Sequence, residues 1–272
     1  ANMTYKLEGN SVQVFKKGTS NAEKYTLAFW VKSNKTGTAQ VNLVDGDNSR
    51  MVSANYTISS ANTWEHKVLN YPADTTGAFD NDNAKSLEIE WALDAGSDFT
   101  SGAVPSAWES QANTDRSVND LALQDNTAND WAITGIQLEV GTFSSTTLPP
   151  FQFESFGDNL ERCQRYFVTV DTVGATQAGF PGRAFSSSGI MFAVPLPCAL
   201  RAAPSATLTG TIRAFDDAGT KDSTSNLSVT SYGNTDSSIV MLQSTGFSSV
   251  SNDNSYNVMA INDTFYTLDA EL

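Results

Sequence analysis

The sequence contains few residues of the types that carry out acid–base or nucleophilic chemistry. His66 is the only histidine, so a Ser-His, a Cys-His or a multi-histidine metal site would have to be built around this one residue. The chain has no GxSxG nucleophile motif and no Walker or dinucleotide-binding glycine pattern. We therefore predict that His66 occupies a strand or a strand edge, and that the protein is not an enzyme.

The cysteines and the hard oxygen ligands do not indicate a metal site. Cys163 and Cys198 lack CxxC spacing, and neither has a second cysteine or a histidine nearby in the sequence. Residues 80–83, Asp-Asn-Asp-Asn, lack the glycine and the distal glutamate of an EF-hand. We predict two free, buried thiols, a polar turn at 80–83, no bound metal and no cofactor.

Carboxylates are plentiful enough to hide the acid pair of a glycosidase. The candidates are Glu88, Glu90, Asp94, Glu109 and Glu139. No spacing singles out a pair, because Glu88 and Glu90 alternate with apolar residues as the solvated face of a strand does. A glycan depolymerase therefore stays as the enzymatic alternative.

The five tryptophans are the remaining candidates for ligand binding. The apolar faces of sugar rings stack on exposed aromatic planes, while polar side chains bind the hydroxyls. Trp30 lies on the polar side of an alternating segment and Trp108 lies in a long polar loop, so we predict these two as ligand-binding residues. We expect Trp91 and Trp131 in the core, and Trp64 as a core plug at the start of a strand.

The bulk composition indicates a folded, acidic protein. With 30 acidic and 16 basic residues, the formal charge is −14, and this charge repels nucleic-acid phosphates and anionic lipids. No stretch approaches about 18 apolar residues, and the first residues lack the charged and apolar regions of a signal peptide. We predict no nucleic-acid binding and no membrane insertion.

The segments that would position these residues are short β-strands. Residues 25–33 and 86–93 alternate apolar and polar side chains, and a further strand is expected at 118–123 before the closing strand at 131–140. About nine short strands separated by turn residues are typical of a jelly-roll or related sandwich. Pro149 and Pro150 cannot continue a ladder. We predict an all-β protein with a jelly-roll sandwich at 1–143, a Pro-rich linker and short helix at 144–167, and a smaller β-sandwich domain at 168–272.

The linker contains the one short helix that the pattern predicts. Ser155 followed by Asp158 indicates a helix start of the capping-box type. The helix carries an apolar stripe, which we define as Phe156, Leu160, Cys163 and Phe167. Such a short helix needs a packing partner. The stripe packs either on one of the chain's own domains or, because its spacing is heptad-like, on copies of itself around a threefold axis.

Residues 131–167 are similar to a phrase that recurs in bacteriophage tail-fibre and related virion proteins. The phrase consists of ITGIQLEVG at 133–141, PF at 150–151, FE at 153–154, Leu160, and CQRYF at 163–167. Other segments resemble the same family in the same order, namely 25–37 (YTLAFWVKSNKTG), 63–65 (TWE), 72–83 (PADTTGAFDNDN) and 192–204 (FAVPLPCALRAAP).

The resemblance implies a non-enzymatic virion protein with a jelly roll similar in outline to carbohydrate-binding modules. It implies a homotrimeric tail fibre or spike at the virion surface, assembled in the host cytoplasm, that contacts other virion proteins and a host surface glycan. The structural alternative is a capsid or tail decoration protein that binds only other virion proteins. Two features depart from the family. Thr134 and Gly135 stand where related jelly rolls often have an acidic metal ligand, and the insertion at 144–148 is longer than expected.

Overall fold

A computed structural model describes residues 1–171, 179–216, 219–224, 226–232, 238–248 and 250–271. Strands hold 46% of the residues and helices 9%, which confirms the predicted all-β class. The chain divides into two compact units, Ala1–Gln152 (unit 1) and Phe153–Leu272 (unit 2). The division lies inside the segment 144–167 that was predicted as a linker.

Unit 1 is built from eight strands in two antiparallel sheets. The strands are β1 (Asn2–Glu8), β2 (Tyr25–Ser33), β3 (Gly37–Asp45), β4 (Arg50–Ile58), β5 (Glu65–Tyr71), β6 (Lys85–Ala92), β7 (Glu109–Ser110) and β8 (Trp131–Val140). One sheet has the order β1-β6-β3-β4-β7, and the other has the order β5-β2-β8. Helical segments in this unit are short: α1 (Gly9–Val12) and 3-10 turns at Gln13–Phe15, Asn113–Asp115 and Leu123–Asp125.

The core of unit 1 follows from the period-2 alternation of the strands. Leu27, Phe29 and Val31 of β2 are fully buried and share one core cluster with apolar residues of the five-stranded sheet, including Leu87 and Trp91 of β6. Successive side chains of a strand point to opposite faces. The residues between the buried ones therefore lie on the outer faces of the two sheets.

The strand predicted at 118–123 is not present. The Asp120 side chain makes local hydrogen bonds there: it accepts from the Ala122 backbone amide at 2.9 Å and from the Ser117 hydroxyl at 3.0 Å. Such local side-chain bonds compete with a strand ladder. The segment instead joins the five-stranded sheet as a covering loop, in which the Asn119 carbonyl accepts from the Gln40 amide at 3.0 Å.

Unit 2 is a single curled antiparallel sheet of eight strands. These are β9 (Phe167–Asp171), β10 (Gly179–Ala184), β11 (Gly189–Pro195), β12 (Ser205–Asp216), β13 (Gly219–Thr224), β14 (Ser228–Tyr232), β15 (Ile239–Thr245) and β16 (Ser255–Asp269). The order is β13-β12-β16-β10-β11-β15-β14, and β9 also pairs with β16. The unit has its own buried core, which includes Ile190, Phe192 and Leu242.

The helix α2 (Phe156–Gln164) begins as the sequence predicts. The Ser155 hydroxyl accepts a hydrogen bond from the Asp158 amide at 3.2 Å. The helix ends at Gln164, so Phe167 is not helical but is the first residue of β9. The last member of the predicted stripe therefore lies outside the helix.

Candidate functional site

Trp30 lies on the outer face of the three-stranded sheet, as the alternation predicts. It belongs to β2, the central strand of that sheet. Its neighbours Phe29 and Val31 are fully buried, whereas Trp30 is 44% exposed. The indole is therefore available to a ligand from the solvent side of a rigid sheet.

His66 supports the Trp30 ring. The two residues are directly paired across β2 and β5, and their rings stack with centroids 5.0 Å apart and an interplanar angle of 24°. Cross-strand aromatic pairs of this kind stabilise a sheet by roughly 0.2–1 kcal/mol. His66 lies in β5, an edge strand of the three-stranded sheet, as the sequence predicts. The stack also orders the indole before any ligand arrives, which reduces the entropy lost on binding.

Gly135 makes room for the indole on the other side. The pairing of β2 with β8 is irregular between Ala28 and Trp30, where Trp30 lies opposite Thr134. Gly135 has φ +59°, and a Cβ atom there would lie 3.3 Å from Trp30 Cδ1. Glycine adopts this left-handed conformation without the steric penalty that other residues incur. The glycine at position 135, which departs from the family pattern, is thus explained by its backbone conformation and by the space that the Trp30 ring occupies.

Trp64 extends the exposed aromatic surface, and its predicted role as a core plug is wrong. It precedes β5 and is 41% exposed. The Lys32 ammonium lies 5.6 Å from the centroid of the Trp64 ring. Alternation places Lys32 on the same side of β2 as Trp30. The contact with Lys32 brings Trp64, which precedes β5, to that side as well. We call these four residues the aromatic face.

A segment that we call the strap, residues 141–150, borders the aromatic face. The Phe143 amide donates to Thr26 Oγ1 (3.1 Å) and Asn70 Oδ1 (3.2 Å), and Gln137 Nε2 donates to the Pro149 carbonyl at 3.0 Å. Thr26 is fully buried although it lies on the same side of β2 as Trp30. The strap, which includes the insertion 144–148, therefore closes one end of the outer sheet face and leaves the end with Trp30 open.

The prediction that Trp108 binds a ligand is wrong, because its ring is only 8% exposed. The indole N–H donates to the Pro72 carbonyl at 2.9 Å. One side of the ring approaches Tyr25, at a centroid distance of 6.0 Å, and the Lys17 ammonium lies 5.0 Å from its centroid. The loop that carries Trp108 thus folds the ring inward. Trp91 belongs to the core, as expected, whereas Trp131 is partly buried and packs against it.

A buried ionic cluster holds the loops around Trp108. Lys17 Nζ lies 2.5 Å from Asp45 Oδ2 and 3.1 Å from Asp74 Oδ2, and the Lys17 and Asp45 side chains have no exposed surface. The same ammonium donates to the carbonyls of Thr76 (3.0 Å) and Gly77 (2.8 Å). These contacts tie the loop after β5 to the turn after β3.

Asp74 is the carboxylate of this cluster that has two basic partners. Its second basic partner is Arg50, whose Nε lies 2.8 Å from Oδ2. Burial alone would raise the pKa of Asp74, but the hydrogen bonds from Arg50, the Thr76 amide and Lys17 outweigh burial and lower it. The carboxylate is therefore ionised, and the cluster is a structural anchor.

A cavity of about 260 Å³ lies on the outer face of the five-stranded sheet. Its lining includes Asn42, Glu90, Asp94, Phe99 and Arg116. The polar groups bind one another: the Glu90 carboxylate accepts from Arg116 Nε (3.2 Å) and from Asn42 Nδ2 (3.3 Å). Because these groups are already paired, we interpret the cavity lining as the network that fastens the covering loop to the sheet.

The structure brings two of the five candidate acids, Glu90 and Asp94, to the lining of this cavity, and it does not place the other three there. Glu88, Glu90 and Glu109 belong to strands of the five-stranded sheet, whereas Glu139 belongs to the three-stranded sheet. Glu88 pairs with Lys85 at 2.7 Å, and Glu139 accepts from Gln137 Nε2 at 2.8 Å. Glu88 and Glu139 thus have local partners on separate sheets.

The predicted oligomer interface lies on an exposed helix. None of the residues of α2 is buried, and Phe156 is 83% exposed. Leu160, Cys163 and Phe167 are also exposed. The prediction of a buried thiol is therefore wrong for Cys163, while Cys198 is partly buried and burial raises its pKa.

Residues 80–83 form a polar turn, in which the Asp82 side chain accepts from the Ala84 amide at 2.9 Å. Within the described ranges, no group of three or more His, Cys, Asp or Glu residues is arranged to hold a metal ion. The described part of the chain also has no helix of the length and apolarity needed to cross a membrane. No protein-family model matches the chain, and no curated protein matches it significantly.

Proposed function

We propose that the chain is a structural protein of a bacteriophage virion, part of a tail fibre or spike, and that it binds a host surface glycan through the aromatic face. The observation that carries the proposal is the exposure of two tryptophans, Trp30 (44%) and Trp64 (41%), of which Trp30 stacks on His66 and Trp64 contacts Lys32. The phage identity itself rests on the sequence resemblance at 131–167.

The chemistry of the aromatic face suits a sugar ring. A pyranose stacks its C–H surface on an indole, and adjacent donors and acceptors bind its hydroxyls. The exposed Thr134 lies opposite Trp30, and Lys32 and His66 supply further polar atoms around the two rings. Because Trp30 lies on a strand and Trp64 directly precedes one, little conformational entropy is lost when a glycan binds.

Adsorption measurements with matched variants test this proposal. Trp30→Ala and Trp64→Ala should each weaken binding to host envelope polysaccharide by about tenfold or more, since truncating a central aromatic residue of a binding site commonly costs 1–2 kcal/mol or more. Tyr5→Ala removes another exposed aromatic ring, on the five-stranded sheet, and should leave binding unchanged. Equal binding by the Trp30, Trp64 and Tyr5 variants would exclude the aromatic face as the site.

We also propose that the apolar stripe packs on the stripes of two further copies, so that the protein is a homotrimer. The exposure of Phe156, Leu160 and Phe167 supports a contact with another chain, and the heptad-like spacing favours a contact between like helices. Light scattering should show loss of the trimer in Leu160→Asp, and an intact trimer in Asn159→Asp, which adds the same charge outside the stripe. A monomeric wild-type protein would refute the trimer. The apolar stripe would then be left as a surface that contacts other virion proteins.

A further inference from the structure

Lys32 is the cation of the aromatic face, and it has no carboxylate partner. Its ammonium lies over the Trp64 ring, 5.6 Å from the centroid, and within unit 1, which the structure describes completely, no carboxylate oxygen lies within 4 Å of it. Seven other basic residues of unit 1 do have such a partner: Lys16, Lys17, Lys35, Arg50, Lys67, Lys85 and Arg116. In a chain of net charge −14, an unpaired ammonium at a candidate binding surface is a distinctive feature.

The acidic residues of the three-stranded sheet and its flanks either have other partners or lie far from Lys32. Asp130 directly precedes β8, and its Oδ1 accepts from the Asn34 amide at 2.8 Å. Glu65 binds Lys67 at 2.6 Å and the amides of Ser59 and Ser60. Glu139 lies opposite Thr26, roughly 20 Å from Lys32 at about 3.3 Å per strand residue. That separation exceeds the Debye length of about 8 Å at physiological ionic strength.

The geometry places the ammonium where a substituent of a stacked sugar would lie. Trp30 and Lys32 are two residues apart on β2, which separates their Cα atoms by roughly 6.6 Å. A pyranose ring lying on the Trp30 indole would therefore direct an exocyclic group towards Lys32. All three N–H groups of Lys32 Nζ are available, because no hydrogen bond from this ammonium to another residue of the described chain is present. The contact with Trp64 orients the ammonium, but a cation–π contact at an exposed site contributes only about 0.5–1 kcal/mol.

We infer that the aromatic face selects glycans that carry a carboxylate, such as uronic or sialic acid residues, with Lys32 as the residue that binds the acid group. This inference rests on the proposed function, because it assigns a sugar class to the same face. A carboxylate would form charge-assisted hydrogen bonds with the ammonium. Elsewhere the acidic surface of the protein repels a polyanionic glycan, so the aromatic face would also fix the place at which such a glycan can bind.

A glycan array with matched pairs tests the inference. Each acidic oligosaccharide, such as oligogalacturonate, hyaluronan fragments and oligosialic acid, is printed beside its carboxyl-reduced form and beside neutral glycans. At least one acidic glycan should bind about tenfold more tightly than its reduced form, as a charge-assisted bond at a half-exposed site allows. Lys32→Gln should abolish this preference, so that the variant binds each acidic glycan and its carboxyl-reduced form with about equal affinity.

The control is Lys24→Gln, which changes the net charge equally at the far end of β2 and should keep the preference. Equal binding of acidic and reduced forms by the wild-type protein, or binding of neutral glycans alone, would overturn the inference and leave the proposed function standing. A preference that survives in Lys32→Gln would also overturn it. Failure to bind any glycan, acidic or neutral, would count against the proposed function itself.

Discussion

Replacing Lys17 by methionine should strongly destabilise unit 1. The substitution keeps most of the apolar stem but removes an ammonium that has no exposed surface and that lies 2.5 Å from Asp45 Oδ2. Asp74 would retain Arg50 at 2.8 Å. Asp45 would retain only neutral donors, the amides of Asp47 and Asn48 and the Asn48 side chain. A fully buried carboxylate would thus lose the only basic partner that it has among the described residues.

Breaking a buried ion pair by removing one partner costs about 3–5 kcal/mol. The matched control is the preceding residue, Lys16, which pairs with Glu23 at 2.8 Å but has a side chain that is 54% exposed. Lys16→Met should cost less than about 1 kcal/mol, because exposed pairs contribute little. Two adjacent lysines in the same sequence context thus have very different predicted effects.

Tryptophan fluorescence during urea denaturation measures this difference. All five tryptophans lie in unit 1, so the signal reports the unfolding of unit 1 without a contribution from unit 2. With a slope of about 2 kcal/mol per molar urea, Lys17→Met should lower the midpoint by about 1.5–2.5 M, and Lys16→Met by less than about 0.5 M. A shift for Lys17→Met no larger than that for Lys16→Met would refute the role assigned to the buried cluster.

Two further predictions concern unit 1. Because the pKa of Asp74 is lowered in the folded state despite burial, its contribution to stability is full above the unfolded pKa of about 3.9 and is lost as the pH falls through the folded pKa. Urea midpoints of the wild type should therefore decline below about pH 4, and Asp74→Asn should show a lower midpoint at neutral pH and a shallower acid decline. Gly135→Ala, at φ +59°, should cost about 1–2 kcal/mol in the same assay, whereas Gly96→Ala, which has open space around it, should change stability by less than about 0.5 kcal/mol.

Local patterns in the sequence were sufficient to predict β2 and the exposure of Trp30. The alternation in β2 places Leu27, Phe29 and Val31 on the buried side and Trp30 opposite them, because side-chain direction in a strand has a period of two. The start of α2 was predictable for a similar reason, since the Ser155 cap depends only on residues three positions apart.

The positions of Trp64 and Trp108 depend on partners that are distant in the sequence. Trp108 is buried by Pro72 and Lys17, which are 36 and 91 positions away by residue number. Trp64 precedes its strand, so the pattern alone does not decide its side. The sequence shows only that Trp64 lies two residues before His66. The pairing of His66 with Trp30, which locates this part of the chain beside Trp30, comes from the structure.

The buried cluster was likewise not predictable. Lys17 follows another lysine and precedes a glycine, a context typical of an exposed turn. Its partner Asp45 ends β3 and its partner Asp74 lies in the loop after β5, and only the packed sheets bring them together. A buried lysine is rare unless it is paired, so the three-dimensional arrangement is the only indication of its role.

The central claim, that the aromatic face binds a glycan, is tested most directly by NMR of the five indole N–H groups during titration with host surface polysaccharide. Single Trp→Phe variants assign the five signals. The signals of Trp30 and Trp64 should shift or broaden on binding, while those of Trp91, Trp108 and Trp131, which lie in or against the core, should stay in place. Binding of the polysaccharide with no change in the Trp30 and Trp64 signals would contradict the account.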